Sequence, residues 1–224
     1  MTAFLLAALD MAGTTVDEGG LVYSAVEAAV AEAVGSPVPA ELMSQWKGTS
    51  KEEAIAGLLA AMGANHSRAR VRTVYDVFAA KLEEAYGATP PAPIPGVLQM
   101  FETLRQARVK VALQTGYSAP VANSIMSGLD WKVGETVDAL VTSDTVAASR
   151  PAPYLIFHAM EITGVTDVRR VLTAGDTPND LAAGMNAGAG FVVGVPTGSF
   201  TRSQLAAEPH THILDSAASL PALL

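Results

Sequence analysis

Short apolar runs that alternate with helical stretches restrict the fold of this sequence more than any other feature. One run, residues 3–9, stands near the start and ends at Asp10. Further strands are predicted over residues 109–114, 139–142, 170–174, 191–195 and 212–214, with helices over residues 97–106, 119–127, 153–163 and 181–187. Continuous apolar runs are typical of parallel strands that are buried on both faces. The alternation therefore predicts an α/β fold with a doubly wound parallel sheet.

A block of helices separates the first predicted strand from the others. Periodicity predicts these helices over residues 22–34, 39–46, 50–62 and 67–86. Ser50, with Glu53 three residues later, predicts a capping box at the start of the third helix. Because the block shows no strand pattern, it predicts a helical cap domain of residues 18–88 inserted into a core domain of residues 1–17 and 89–224.

The boundary after the cap is marked by a proline-rich linker. Residues 89–96 contain four prolines, which cannot continue a helix. A ligand of such a fold is expected at the carboxyl ends of the strands, beneath the inserted cap.

Composition excludes several classes of function. The formal net charge of -8 argues against non-specific nucleic-acid binding. No 18-residue stretch is free of charges and turn formers, so no membrane span is expected. The absence of cysteine excludes disulfides and thiol chemistry and fits a reducing, cytoplasmic location. No exposed apolar stripe requires an oligomer, although a homodimer is compatible with the sequence.

Four short polar motifs follow predicted strands. They are Asp10 with Ala12, Gly13 and Thr14 after the first strand, Thr115-Gly116-Tyr117 after the second, Arg150 beyond the third, and Asp176 with Asp180 after the fourth. Each motif alone is also typical of an ordinary turn or helix start. Together they predict one site, because parallel strands bring their carboxyl ends to the same edge of the sheet.

With these motifs in this order around an inserted helical block, the chain resembles the haloacid dehalogenase superfamily. Within it, Asp10-x-Ala12-Gly13-Thr14, together with Arg150 in place of the usual lysine, is similar to the phosphonatase-like hydrolases. The resemblance implies that Asp10 is a nucleophile that forms an aspartyl-phosphate. It implies a small phosphonate or phosphate molecule as substrate.

The resemblance also implies a Mg²⁺ cofactor and an anion-binding set. Asp10, Asp176 and the carbonyl oxygen of Ala12 would bind the cation, with Asp180 acting through water or orienting the site. The Thr115 hydroxyl would bind phosphoryl oxygens, and Arg150 would neutralise the phosphoryl group. Further substrate contacts are expected from Ala12, Gly13, Thr14, Gly116, Tyr117 and Lys47.

Ala12 and Lys51 are linked by the chemistry that the resemblance implies. Most phosphatases of the superfamily place a second Asp, which protonates the leaving alcohol, where this chain has Ala12. Residues 48–51 (GTSK) resemble the cap motif whose lysine condenses with an aldehyde in phosphonatases. Since a departing enamine carbon does not need the proton that an alkoxide needs, a Schiff base on Lys51 explains the methyl group of Ala12.

Schiff-base chemistry requires a neutral amine, so the pKa of Lys51 must be lowered by roughly three units. Burial under the cap would supply part of this shift, and Lys47 would help as a neighbouring cation. Glu52 and Glu53 would oppose it if they faced the same pocket.

Two alternatives stay open at this point. A histidine that phosphonatases carry after the cap lysine falls at Ala54, so proton transfer requires Tyr117, Glu53 or water. Without imine chemistry, the chain would be a phosphomonoesterase similar to phosphoglycolate phosphatase, with Lys51 as an electrostatic contact to a small phosphate ester. An idle phosphate-binding protein is the other alternative, against which the intact Asp10 and Asp176 argue.

Overall fold

A computed structural model describes residues 2–224 and contains eight strands and nine α-helices within that range. The elements in chain order are β1 (Leu6–Asp10), β2 (Val16–Asp17), α1 (Leu21–Val34), α2 (Ala40–Gln45), α3 (Lys51–Ala61), α4 (Arg68–Ala88), β3 (Ala92–Pro93), α5 (Val97–Gln106), β4 (Lys110–Gln114), α6 (Ala119–Gly128), β5 (Ala139–Val141), α7 (Tyr154–Thr163), β6 (Val171–Gly175), α8 (Pro178–Ala187), β7 (Phe191–Gly194), α9 (Arg202–Ala206) and β8 (His212–Ile213). None of the helices within residues 2–224 combines the length and apolar character needed to cross a bilayer.

Six strands form one sheet in the order β5-β4-β1-β6-β7-β8, and every neighbouring pair is parallel. Alternate residues of the fully buried central strand β1 face opposite sides. Leu9 packs in the cluster that contains Phe101 of α5, whereas Leu6 packs in the cluster that contains Leu155 of α7. The predicted doubly wound α/β sheet is confirmed.

The predicted core strands and helices are all present, with small shifts at their ends. The largest shifts, of three residues each, are at the starts of β1, which begins at Leu6 instead of residue 3, and of α8, which begins at Pro178 instead of Leu181. The shift in α8 has a local cause. Thr177 is the reason, because its side chain and that of Asp180 form a capping box around a proline in the first turn. The helix start is therefore fixed by residues of the Asp176 motif itself.

Helices α1 to α4 lie between β2 and β3 in the chain. Of these, α1, α3 and α4 pack on one another, with the most extensive packing between α1 and α4. The two chain segments that join them to the sheet are themselves paired. β2 and β3 are antiparallel, and the Ile94 N–H donates to the Thr15 carbonyl oxygen at 3.0 Å. The proline-rich segment, expected as an irregular linker, thus contains one strand of a two-stranded connection. The domain limits at residues 18 and 88 stay a prediction.

The expected capping box of α3 is only half formed. The Ser50 side chain accepts a hydrogen bond from the Glu53 N–H at 3.2 Å. The Glu53 carboxylate does not return this bond to Ser50. It accepts instead from the Ser149 N–H of the core at 3.2 Å. A residue expected to stabilise its own helix therefore joins the cap to the loop that carries Arg150.

We predict that Gly57→Ala destabilises the protein. An added Cβ at Gly57, in α3, would lie 1.8 Å from the Trp46 ring, so the indole would have to move. Overpacking of this kind costs about 1–3 kcal/mol. Urea unfolding should show a lower midpoint for this variant.

Gly87→Ala is the matched control, since Gly87 lies in α4 and a Cβ there meets nothing within 4 Å. Alanine at an open helical position should stabilise by about 0.5–1 kcal/mol. Equal midpoints for the two variants would contradict the assigned packing of Trp46 on Gly57.

Candidate active site

The motif residues meet where the central strands end. Asp10 is the last residue of β1, Thr115 follows β4, and Asp176 follows β6. Arg150 reaches the same place from the loop before α7. The side chains of these four residues and of Asp180 are all buried. The structure therefore brings together residues that are up to 170 positions apart in the chain.

Arg150 is the centre of this cluster. Its Nη2 donates to Asp10 Oδ1 at 2.6 Å and to the Gln114 carbonyl oxygen at 3.3 Å, while Nη1 donates to Asp180 Oδ1. The arginine side chain is 1% exposed. A planar guanidinium offers its donors in a rigid fork, so it fixes the separation and orientation of the two carboxylates.

Three carboxylates share this space with the single arginine. Asp10, Asp176 and Asp180 each have an oxygen within 4.8 Å of the others. Burial raises the pKa of Asp10 to about 6, although the Arg150 charge opposes the shift. Burial, followed by the charges of Asp180 and Asp10, raises the pKa of Asp176 well above its usual range. An excess of buried oxygen ligands fits a hard divalent cation such as Mg²⁺.

The three acids differ in what else they contact. Asp176 Oδ2 accepts from the Ser199 N–H at 2.7 Å. Both oxygens of Asp180 have protein partners. Oδ1 accepts from Arg150 Nη1, and Oδ2 accepts from the N–H and the hydroxyl of Thr177. This arrangement favours the orienting role for Asp180 and leaves Asp10 and Asp176 as the carboxylates better suited to bind a cation directly.

The loop after Asp10 passes very close to Asp176. Gly13 has φ of +78°, and an added Cβ would lie 2.7 Å from Asp176 Oδ2. The neighbouring Thr14 hydroxyl is buried and has no hydrogen-bond partner within residues 2–224. An unpaired buried hydroxyl is costly, so Thr14 is suited to donate to an oxygen of a bound anion.

The loop after β4 contacts the cap. Thr115 Oγ1 accepts from the Tyr117 N–H at 3.1 Å, which leaves the hydroxyl proton available for a substrate oxygen. An added Cβ at Gly116 would lie 2.3 Å from the Thr49 carbonyl oxygen. Glycine is therefore needed at position 116 because the cap loop approaches the core backbone directly above this turn.

Lys51 is buried at this contact between cap and core. Its Nζ donates to the Thr49 carbonyl oxygen at 3.1 Å and lies 5.1 Å from the Tyr23 ring centroid and 5.4 Å from that of Tyr117. Burial, followed by the charge of Arg150, lowers the pKa of Lys51 to about 8. Part of the deprotonation that Schiff-base chemistry requires is thus provided by the fold.

The charges around Lys51 differ from those expected. Arg150, rather than Lys47, is the cation that most lowers the pKa of Lys51. Lys47 Nζ lies 5.0 Å from the ring centroid of Tyr23, the ring that Lys51 also approaches. Glu52 pairs with Arg72 on the surface, and Glu53 bonds to Ser149, so neither is directed at the amine.

A cavity of about 350 Å³ opens beside the cluster. Ala12, Gly13, Glu18, Tyr23 and Asp176 are among the residues that line it. Ala12, two residues after Asp10, thus lines an open space that Asp176 of the carboxylate cluster also borders.

The sequence motifs do not identify several residues of this site. Residues 197–199 close the far side, where the Thr197 hydroxyl donates to the Gly13 carbonyl oxygen at 2.6 Å. They follow β7 as the other motifs follow their strands, which is the signal that would have found them. Glu18 is the second omission, and nothing in its local sequence distinguishes it from a surface carboxylate. The Tyr23 hydroxyl accepts from the Gly48 N–H at 3.0 Å.

Comparison with known proteins agrees with this geometry. The family model of haloacid dehalogenase-like hydrolases matches residues 4–188. The chain belongs to this family. Its members include relatives named phosphonoacetaldehyde hydrolase. One from Lysinibacillus sphaericus is 32% identical over 202 residues, which is 85% of this chain and 74% of the relative. One from Parabacteroides distasonis is 41% identical over 107 residues, which is 48% of this chain and 40% of the relative.

A solved structure of a phosphonoacetaldehyde hydrolase-like protein from Oleispira antarctica shares the fold of this haloacid dehalogenase-like hydrolase. The TM-score is 0.82 at 22% identity, with 100% of this chain and 92% of the other covered. The resemblance carried by the motifs is confirmed at the level of the family, and the chain is an enzyme of the hydrolase class.

We predict that Mg²⁺ stabilises the protein more at pH 7.5 than at pH 5. The pKa of Asp10 is raised to about 6, so its contribution to stability is present at low pH and is lost as the pH rises through 6. The ionised carboxylate of Asp10 that forms in that range is one that would bind the cation. At about 100 times its Kd, a cation adds about 2.7 kcal/mol.

Thermal unfolding with and without MgCl₂ measures this effect. Asp176→Asn should abolish the magnesium-dependent shift. Asp130→Asn is the control, because the Asp130 side chain is 90% exposed and remote from the cluster, and it should leave the shift unchanged. Equal shifts at both pH values would show that these carboxylates are not the binding group.

Proposed function

We propose that this protein is a Mg²⁺-dependent phosphonatase-like hydrolase that cleaves the C–P bond of a 2-oxoalkyl phosphonate. The observation that carries the proposal is a buried lysine whose pKa is lowered to about 8, held in the same site as a buried aspartate. The similarity to proteins named phosphonoacetaldehyde hydrolase supports it.

The phosphoryl half of the reaction uses the core residues. Asp10 attacks phosphorus to form an aspartyl-phosphate, and Arg150 orients it through the 2.6 Å bond to Oδ1. The hydroxyls of Thr14 and Thr115 bind phosphoryl oxygens. Mg²⁺ held by Asp10 and Asp176 would supply positive charge to the transferring group.

The carbon half uses the cap. Lys51 attacks the substrate carbonyl, and loss of water gives an iminium. When Asp10 attacks phosphorus, the C–P bonding pair moves toward the iminium nitrogen and leaves an enamine. Protonation of the enamine carbon and hydrolysis of the imine release the carbonyl product, while water hydrolyses the aspartyl-phosphate to phosphate and Asp10.

Ala12 fits this division of roles. The leaving group is a carbon stabilised by the lysine, so no acid is required at position 12. A phosphate ester would lack that stabilisation and would need a proton at the leaving oxygen. The methyl group of Ala12 therefore selects against ester hydrolysis within an otherwise similar core.

The alternative is a phosphomonoesterase in which Lys51 only attracts the substrate anion. The two functions differ in what Lys51→Arg does. Arginine keeps the positive charge but cannot form an imine, so an electrostatic role would survive this change and a Schiff base would not.

We predict that borohydride traps a covalent adduct on Lys51 when 2-oxoethylphosphonate is added. Trapping should increase as the pH rises through about 8, because the neutral amine is the nucleophile and the pKa of Lys51 is lowered to that value. Both Lys51→Arg and Lys51→Ala should abolish the adduct and phosphate release. Peptide mass spectrometry locates the adduct, and Lys110→Arg is a surface-lysine control.

Retained phosphate release in Lys51→Arg would exclude imine chemistry and leave the phosphomonoesterase. The substrates tested for that outcome are small phosphate esters such as 2-phosphoglycolate.

We predict that Ala12→Asp raises phosphate-ester hydrolysis. Position 12 lines the cavity and is two residues from Asp10, so the new carboxyl is expected to protonate the leaving oxygen. General acid catalysis contributes roughly 10²–10⁴-fold. Release of phosphate from p-nitrobenzyl phosphate is the measurement, with Ala12→Asn as the control of similar size that has no acid. An equal response to Asp and Asn would contradict the role proposed for the methyl group of Ala12.

A further inference from the structure

Glu18 is a buried carboxylate that takes no part in the steps described so far. It directly follows β2, where the chain enters the cap, and it is 7% exposed. Its Oε2 accepts from the Val22 N–H in the first turn of α1 at 2.8 Å. Helix starts have unpaired N–H groups, so one function of Glu18 is to cap α1.

Capping alone does not explain where Glu18 lies. Exposed Asp, Ser or Thr residues cap helices without the cost of burying a charge. Glu18 instead lines the cavity of about 350 Å³ together with Ala12, Tyr23 and Asp176. The partners of its carboxylate are the backbone N–H groups of Val22 and Gly20, and no side chain within residues 2–224 hydrogen-bonds to it. The carboxyl can therefore also contact a molecule in the cavity.

The charged and titratable groups that face Glu18 come from several elements. The charge of Lys51, from α3, lowers the pKa of Glu18, and the charge of Asp17 raises it. The charge of Glu18 raises the pKa of two phenols, Tyr86 of α4 and Tyr117 after β4. Burial raises the pKa of Glu18, with the Val22 N–H and Lys51 opposing the shift. The carboxyl thus keeps its proton more readily than a surface glutamate.

Two of the side chains considered for proton transfer, Glu53 and Tyr117, are unsuited to it. Glu53 is engaged by the Ser149 N–H. Burial raises the pKa of Tyr117 well above 10, and its hydroxyl lies 3.3 Å from that of Tyr86. At Ala54, where phosphonatases carry a histidine, this chain has no titratable side chain. Glu18 is a buried acid that lines the cavity together with Tyr23, whose ring centroid lies 5.1 Å from Lys51 Nζ. The other acids of the lining are Asp17, which is exposed, and Asp176, which belongs to the carboxylate cluster.

We propose that Glu18 is the acid that dehydrates the carbinolamine formed between Lys51 and the substrate carbonyl. This inference rests on the Schiff-base function proposed above. The Glu18 carboxylic acid gives its proton to the carbinolamine hydroxyl, the C–O bond breaks, and water leaves. The nitrogen lone pair forms the C=N bond, which yields an iminium, one water molecule and the Glu18 carboxylate. In the reverse direction the carboxylate takes a proton from the water that hydrolyses the product imine.

The test compares Glu18→Gln with the unchanged protein in borohydride trapping of 2-oxoethylphosphonate at pH 7. The glutamine amide oxygen still accepts from the Val22 N–H, so the helix start is kept while the acid is lost. We expect trapping at Lys51 to slow by about 100-fold. The thermal unfolding midpoint should stay near that of the unchanged protein.

If Glu18 acted only through its charge, Glu18→Gln would accelerate trapping at Lys51 instead of slowing it. The Glu18 charge raises the pKa of Lys51, so its removal would leave more neutral amine and would accelerate trapping. Faster or unchanged trapping in Glu18→Gln overturns the proposal. If Glu18→Gln does not fold, Glu18→Asp and rescue of Glu18→Ala by added formate measure the same step, and failure of formate to restore trapping also overturns it.

The two proposals fail in different ways. No adduct on Lys51 in the unchanged protein would reject the Schiff-base function, whatever Glu18 does. An adduct that forms normally in both proteins would reject only the role of Glu18.

Discussion

The ion pairs of Arg150 with Asp10 and Asp180 are the interaction on which the rest of the site depends. They connect the end of β1, the loop before α7 and the start of α8 through one buried guanidinium. One arginine cannot balance three buried carboxylates, so the cluster keeps a residual negative charge that suits a cation. The same guanidinium lowers the pKa of Lys51. Arg150 therefore affects both the nucleophile and the amine of the proposed reaction.

The state of Lys51 depends on contact between the cap and the core. Gly48 lies against Thr177, Gly116 lies against the Thr49 carbonyl, and Asn179 Nδ2 donates to the Lys47 carbonyl oxygen at 2.7 Å. These contacts bury the lysine and bring it near Arg150. Because burial is the largest influence on the pKa of Lys51, separation of cap and core would return the amine toward its ordinary, protonated state.

Much of the fold and the core cluster could be predicted because both follow from local patterns. Apolar runs predict parallel strands, and the polar residues after them share one edge of the sheet. The partners of Glu53 and Glu18 could not be predicted in this way. Glu53 has the spacing of a capping box, yet its carboxylate reaches Ser149, 96 residues away. Sequence spacing describes neighbours within a helix and carries no information on which core loop a cap residue meets.

Alanine in place of an aspartate at position 12 and the burial of Lys51 both favour a low pKa of the Lys51 amine. An aspartate at position 12 would add a fourth carboxylate beside Asp10 and Asp176. Such a charge would raise the pKa of the nearby amine, as Asp10, Glu18 and Asp180 already do. In the proposed reaction, the methyl group of Ala12 would therefore do more than omit an acid that a carbon leaving group does not need. It also limits the negative potential at Lys51, so that burial and Arg150 together hold the amine near the pKa of about 8 at which it can act as a nucleophile.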